Sequence, residues 1–302
     1  MAGSARSTAP LAVVTLALAL GLAACGSSND STSGTKTTKA SQSADDSLAS
    51  KVPAAFSKDG KLTVGVDSTY APSEFVGEDG KTVEGFDVDV FDAVAQKLGL
   101  KTEYVKAPFD SIITGVTSGK FEIGVSSFTI NAEREGQANM VSYFNAGTQW
   151  ATKKGNPTTI TPDTACGHKV AVQKATVQVD DLTARSKKCT SASQKGITID
   201  QYVGQDQATS SVVSGKDDAM LADSPVGAYA VKKAGGQLEL LGDVYDAAPY
   251  GYVIAKTQAA FADVVSKAVQ GLIDDGSYGK ILTKWGVTAG AIKTSEVNPS
   301  VS

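Results

Sequence analysis

Arg134 closes a run, Phe121 to Arg134 (FEIGVSSFTINAER), in which hydroxyls and a guanidinium crowd together. Phe121, Ile123 and Val125 alternate with Glu122 and Gly124, the period of a short strand. Ser126, Ser127 and Thr129 then fall at the strand end, and a helix start is expected near Asn131. Hydroxyls and unpaired backbone N–H groups at such a junction form a polar lip that suits an anion. A guanidinium within about one helical turn of it can grip a carboxylate through two parallel hydrogen bonds. The same residues also read as a capped helix carrying a surface arginine.

The elements that must position this lip have an alternating rhythm. Lys61–Val66 (KLTVGV), Thr102–Val105 and Phe121–Val125 read as strands. A helical pattern at Val88, Val90, Phe91, Val94, Ala95 and Leu98, with Asp87 as N-cap and Gly99 as stop, lies between the first two. A second helix, Phe109–Val116, lies between the next two. The rhythm restarts after Trp150. Lys169–Gln173, Gly196–Ile199, Asp218–Leu221 and Leu238–Leu241 read as strands, with helices from about Thr176, at Asp206–Ser214 and up to Lys233. Tyr250–Ala255 is a last strand before two helices ending near Ile273 and Trp285. Alternation of this kind predicts two α/β units with parallel sheets. Ligands of such sheets bind beyond the carboxyl ends of the strands. In the first unit those ends are Asp67–Pro72, Ala107–Asp110 and Ser126–Asn131, and in the second Ala175-Thr176-Val177 and Asp223. A cleft between the units is therefore the expected site.

The 302 residues are 41% apolar and 20% charged, with a net charge of −4. That suits a globular protein and argues against a nucleic-acid partner. Leu11–Ala24 is nearly all apolar but too short to span a bilayer, and it ends in Leu22-Ala23-Ala24-Cys25, which resembles a lipobox. The resemblance implies a lipoprotein signal peptide over residues 1–24 and an acylated Cys25 as lipid anchor to the cell membrane. Residues 25–56, rich in Ser, Thr and Gly, read as a flexible tether. Export also bears on Cys166 and Cys189. An isolated pair in an oxidising compartment reads as a disulfide, the alternative being two buried thiols. His168 is the chain's only histidine. No metal site is expected, no cofactor, and no Ser-His triad.

Three motifs in order resemble one family. They are Gly85-Phe86-Asp87-Val88-Asp89-Val90 with Val94, Ala95 and Leu98; SSFTINAER; and Asp274-Asp275-Gly276-Ser277-Tyr278-Gly279-Lys280-Ile281 with Lys284-Trp285-Gly286. Over about Lys61–Gly286 the chain is similar to bacterial extracellular solute-binding proteins of the polar amino acid type, which serve ABC importers. The resemblance implies an α/β, two-lobed type II periplasmic-binding-protein fold. Lobe 1 would comprise residues 57–147 and 250–288, lobe 2 residues 148–249, and residues 289–302 a loose tail. The hinge would lie near Ala146–Gln149 and Ala247–Gly251. It further implies a monomer, outside the cytoplasm, that hands a free amino acid to permease subunits.

Carried over residue by residue, the resemblance gives Arg134 the ligand carboxylate and Asp223 the ammonium. Thr129 and the Ser127 backbone would help hold both groups, Tyr70 and Phe109 would sandwich the ligand, and Thr176 and Val177 would add backbone N–H groups. The family often has Gly before that Thr and a hydroxyl or Gly after it; here Ala175 and Val177 replace them. Asp67 and Glu74, near the mouth, suit a cationic or amide side chain, though such carboxylates also occur as structural ties. Plainer readings stay open: Asp223 as a helix cap, Tyr70 and Phe109 as core. Asp87 and Asp89 read as a cap and a buried polar tie. The rival function is an enzyme of the same fold, a dehydratase or lyase using Asp67 or Glu74 as a cleft acid. A second rival is a sensory ectodomain.

Overall fold

The computed structural model describes residues 44–301. Cys25, the signal peptide and most of the tether lie outside the described residues. Two short helices come first, α1 (Asp46–Ala49) and α2 (Ala54–Ser57). The tether therefore ends earlier than expected. Phe56 stacks on Phe261 at 4.0 Å and joins the core, so these residues are anchored by apolar burial.

β1 (Lys61–Val66) is followed by a small antiparallel sheet of β2 (Thr69–Tyr70), β3 (Glu74–Val76) and β4 (Val83–Glu84), which the sequence pattern did not reveal. Then come α3 (Phe86–Lys97), β5 (Lys101–Lys106), α4 (Phe109–Thr117), β6 (Ile123–Thr129) and α5 (Ala132–Gln137). β1 pairs in parallel with β5 and β6. The α3 N-cap is Gly85, not Asp87. Gly85 sits at φ +145°, and a Cβ there would lie 1.9 Å from the Ser73 carbonyl oxygen. Only glycine allows that approach, which turns Asp87 inward instead of leaving it as a cap.

β7 (Ala138–Lys153) and β11 (Leu238–Ala255) are long antiparallel partners of 16 and 18 residues. Between them lie β8 (Lys169–Gln173), α6 (Val177–Ser191), β9 (Thr198–Tyr202), α7 (Gln205–Ser214), β10 (Ala219–Asp223) and α8 (Ser224–Lys233); α9 (Ala259–Asp274) and α10 (Ser277–Trp285) follow. The two expected strands at Leu238–Leu241 and Tyr250–Ala255 are thus the ends of one. The strand order β5-β1-β6-β11-β7-β10-β8-β9 joins two half-sheets through β7 and β11. Their ladder is interrupted between Leu241 and Tyr245, between Tyr245 and Ala248, and between Tyr250 and Gly251.

The apolar cores divide the same way. One gathers Leu62, Val64, Phe86, Phe91, Tyr143, Tyr252 and Leu272; another gathers Trp150, Val170, Val172, Leu182 and Leu221. Cys166 and Cys189 form a disulfide beside the second. The chain end is not loose. Ser295 Oγ donates to Ser142 O at 2.8 Å, the Glu296 N–H donates to Ser142 Oγ at 2.9 Å, and Ile292 and Val297 pack on the first core. Polar tail residues serve β7 as backbone partners, which composition alone does not show.

Candidate functional site

A small, largely enclosed cavity lies where the strand ends of both halves meet. Its lining includes all nine sequence-derived ligand residues: Asp67, Tyr70, Phe109, Ser127, Thr129, Arg134, Thr176, Val177 and Asp223. Ser126, already part of the expected polar lip, completes the wall with Gln173 and Gln178, which had not been singled out.

Arg134 is held by its helix. Asn131, the α5 N-cap, accepts from the Arg134 N–H at 2.9 Å. The guanidinium donates to Thr129 O at 2.8 Å and, across the cleft, to Ala175 O at 3.0 Å. Its carbon lies 5.4 Å from the Phe109 ring centre and 5.5 Å from that of Phe128, and these two rings stack at 4.5 Å. Only 7% of Arg134 is exposed. Burial pulls its pKa down, opposed by the charge of Asp223. Among the described residues Arg134 has no carboxylate within ion-pair distance. A surface arginine is excluded.

Asp223 occupies the α8 N-cap position but makes no side-chain cap bond. Its carboxylate accepts instead from Tyr70 Oη at 2.9 Å, Tyr250 Oη at 2.7 Å and Gln178 Nε2 at 2.7 Å. A carboxylate has about four acceptor sites, so three donors leave room for one more. Burial raises the Asp223 pKa, while these donors and Arg134 lower it. Tyr250 and Gln178 escaped the sequence reading, because a buried tyrosine in a strand and a glutamine in a helix carry no signal of their own.

The carboxylates placed near the mouth differ from each other. Asp67 lines the cavity but is saturated. Oδ1 accepts from the Thr69 N–H and hydroxyl at 3.0 and 2.7 Å, and Oδ2 from the Phe109 N–H at 3.0 Å and Gln173 Nε2 at 2.8 Å. Glu74 is fully buried behind Ser126 and Ser127 and is absent from the lining. The Ser127 N–H is also engaged: at φ +49° it donates to Asp87 Oδ2 at 3.0 Å. Asp89 is a tie, accepting from Lys284 Nζ and Trp285 Nε1, but a half-buried one near the surface and not the buried tie expected. On the far wall Thr176 is the α6 N-cap residue, its hydroxyl turned back to Gln173 O, and Ala175 before it sits at φ +60°. The first N–H groups of α6 belong to the lining residues Thr176, Val177 and Gln178. His168, remote from this wall, bonds Asp218. No cluster of metal-binding side chains occurs among the described residues.

Two half-sheets joined through paired long strands, with a polar cavity at their facing strand ends, define a two-lobed binding protein of the type II periplasmic-binding-protein fold. Residues 62–288 match the model of bacterial extracellular solute-binding proteins, family 3, and the chain belongs to that family. Membership places its work outside the cytoplasm. It is 36% identical over 248 residues to the arginine-binding protein ArgT of Corynebacterium glutamicum, covering 82% of this chain and 81% of the relative. An ancestral arginine-binding protein bound to arginine superposes with a TM-score of 0.70 at 31% identity, over 75% of this chain and 98% of that one. AncCDT-1, an ancestral amino acid-binding protein and a precursor of cyclohexadienyl dehydratase, gives 0.65 at 33% identity, over 76% and 96%.

Proposed function

We propose that this protein captures a free α-amino acid with a polar side chain by closing its lobes, and delivers it to the permease subunits of an ABC importer. The observation that carries the reading is Arg134: a buried guanidinium bonded, among the described residues, to two carbonyl oxygens and flanked by aromatic rings, with buried Asp223 on the other half of the cavity. A buried cation without a counter-ion is costly. A ligand carboxylate relieves that cost, and Asp223 offers its remaining acceptor site to the ammonium. In this reading Thr129 and the Ser127 backbone flank the two charged groups, the α6 start at Thr176 and Val177 adds N–H donors, and Tyr70 and Phe109 enclose the ligand's body.

Asp67 acts through Gln173. The Gln173 amide gives its protons to Asp67 and Val203 O, which leaves its oxygen for a side-chain donor. A guanidinium, ammonium or amide fits that acceptor, and the arginine-binding relatives favour the first. Lobe 1 is assigned residues 57–147 and 250–288, lobe 2 residues 148–249, with the hinge where the β7–β11 ladder is interrupted. Cys25 bears the lipid anchor, and the chain works as a monomer without enzymatic activity. Neither cleft acid is available for catalysis, Asp67 being saturated and Glu74 sealed. Calorimetry with L-arginine and then the other nineteen amino acids tests the reading. Reversible binding of at least one, with the ligand recovered unchanged by NMR, is expected. No binding, or consumption of the ligand, overturns it in favour of the dehydratase or lyase class.

A further inference from the structure

Behind the cavity wall lies a pair of buried acids that the binding chemistry does not use. Glu74 on β3 and Asp87 on α3 are both fully buried and converge on Ser127 Oγ, which lies 3.3 Å from Glu74 Oε2 and 3.1 Å from Asp87 Oδ2. The glycine contact at Gly85 brings them together, with the Asp87 N–H donating to Ser73 O at 3.1 Å.

Counting hydrogens shows what the pair requires. Asp87 Oδ2 accepts from the Ser127 N–H at 3.0 Å, from Ser127 Oγ at 3.1 Å and from Tyr143 Oη. Asp87 Oδ1 is buried with no protein donor among the described residues. Ser127 Oγ also lies 3.3 Å from Glu74 Oε2, but a hydroxyl has one hydrogen and can serve one carboxylate. Two ionised acids leave this site one protein hydrogen short and set like charges together in the buried interior. One proton on Glu74 supplies the missing donor. Asp87, with three donors on one oxygen, is the better anion.

We propose that Glu74 and Asp87 share one proton, Glu74 neutral and Asp87 ionised, and that this pair is a positioning device for the ligand cavity. It acts through three lining residues. Asp87 holds Ser127 in its left-handed backbone conformation, Glu74 holds the Ser126 hydroxyl, and that hydroxyl accepts from the Asp67 N–H at 3.1 Å. Burial raises both acids, Asp87 to about 6 and Glu74 well above its ordinary value. The titratable groups that face the pair are Tyr143 on β7, Tyr250 and Tyr252 on β11, Tyr278 on α10, Tyr70 on β2 and Asp67 after β1, all of them acids.

The inference rests on the amino acid reading only for its binding arm. With L-arginine as probe, Glu74→Leu removes the tie to Ser126 and weakens binding about tenfold. Glu74→Gln, whose amide copies the neutral acid's donor and acceptor, restores affinity to within about threefold of wild type. Independently, carbon NMR of glutamate labelled at the carboxyl carbon shows one residue still protonated at pH 7, and that signal is missing from Glu74→Gln. If Glu74→Leu does not fold, the amide variant and the spectrum decide. A large affinity loss in Glu74→Gln, wild-type affinity in folded Glu74→Leu, or a spectrum with every glutamate ionised at pH 7 overturns the proposal. If wild-type protein binds none of the twenty amino acids, the binding reading falls instead, while the spectrum still tests the pair.

Discussion

Replacing Arg134 by methionine separates a ligand-ready charge from a structural one. The side chain is 7% exposed and makes two hydrogen bonds, to Thr129 O and Ala175 O. Charge-assisted bonds contribute roughly 1.5–3 kcal/mol each, so the change forfeits about 3–6 kcal/mol of gross interaction. Against this stands the burial of a guanidinium with no carboxylate at ion-pair distance among the described residues, an effective penalty of several kcal/mol. Methionine keeps the apolar contact with Phe109 and Phe128. The two sums nearly cancel, so ligand-free Arg134→Met should be as stable as wild type to within about 1 kcal/mol. Binding behaves otherwise. Ligand at ~100 times its dissociation constant stabilises the wild type by about 2.7 kcal/mol, a melting shift of roughly 5–10 °C for a chain of this size. That shift should vanish in Arg134→Met for every amino acid, because all of them share the carboxylate. Differential scanning fluorimetry with L-arginine and the full panel reads both quantities. Loss of about 3 kcal/mol or more in the ligand-free variant, or a retained ligand shift, would mean that Arg134 is a strut and that the site is wrongly assigned.

Three further outcomes follow from the same geometry. Opening the Cys166–Cys189 disulfide, 23 residues apart in sequence, should lower stability by about 3 kcal/mol in urea unfolding of a double Cys→Ser variant, and an unchanged midpoint would contradict the loop-entropy argument. Ala175→Gly relieves a left-handed alanine at φ +60° and should raise stability by about 0.5–1 kcal/mol; a lower melting temperature would show that the conformation is not strained. Burial raises Asp67, Glu74, Asp87 and Asp223, with Asp87 at about 6. The folded state therefore binds more protons than the unfolded chain from the ordinary carboxylate range near ~4 up to about 6 for Asp87 and to still higher pH for Glu74. Ligand-free stability from these groups should be lost as pH rises through that window, so unfolding at pH 5 needs more urea than at pH 7; the opposite order refutes the assignment of buried, strained acids.

Most elements were legible because their apolar residues repeat at a helical or strand period. β1, β8 and the helices α3, α4, α6 and α7 begin or end within a residue or two of their expected positions. What failed was β7. Fourteen of its 16 residues are buried, so it shows no alternation between faces. β11 failed for the opposite reason, its middle being half-exposed as it crosses from one half-sheet to the other. Both are the connecting strands, and a strand that serves two sheets cannot carry the pattern of either. Asp87 was misplaced because an acid near a helix start ordinarily caps it; the backbone approach of Gly85 to Ser73 overrides that preference and is invisible without the third dimension.

The site was readable where one residue type has few alternative uses. An arginine one turn beyond a hydroxyl-rich strand end, and an aspartate at the corresponding junction of the second unit, fit the two charges of a free amino acid. Gln173, Gln178 and Tyr250 were not readable, since amides and phenols serve cores, surfaces and sites alike. Yet they decide how the acids behave. Gln178 and Tyr250 take three of the donor contacts around Asp223 together with Tyr70, and Gln173 closes the last acceptor site of Asp67. Two aspartates that look equivalent in sequence are thereby given different surroundings: Asp223 keeps one acceptor site open, which the proposed function assigns to a ligand ammonium, whereas in the same proposal Asp67 reaches the ligand only through the glutamine that covers it. Selectivity for the side chain should therefore be more sensitive to Gln173 than to Asp67. Gln173→Leu ought to reorder the ranking of amino acids in a melting-shift panel, whereas Asp67→Asn, whose single amide oxygen can serve only two of the four donors and so loosens the wall as a whole, ought to lower all affinities together. If Asp67→Asn instead reorders the panel and Gln173→Leu does not, the carboxylate touches the ligand directly and the division of labour argued from the hydrogen bonds is wrong.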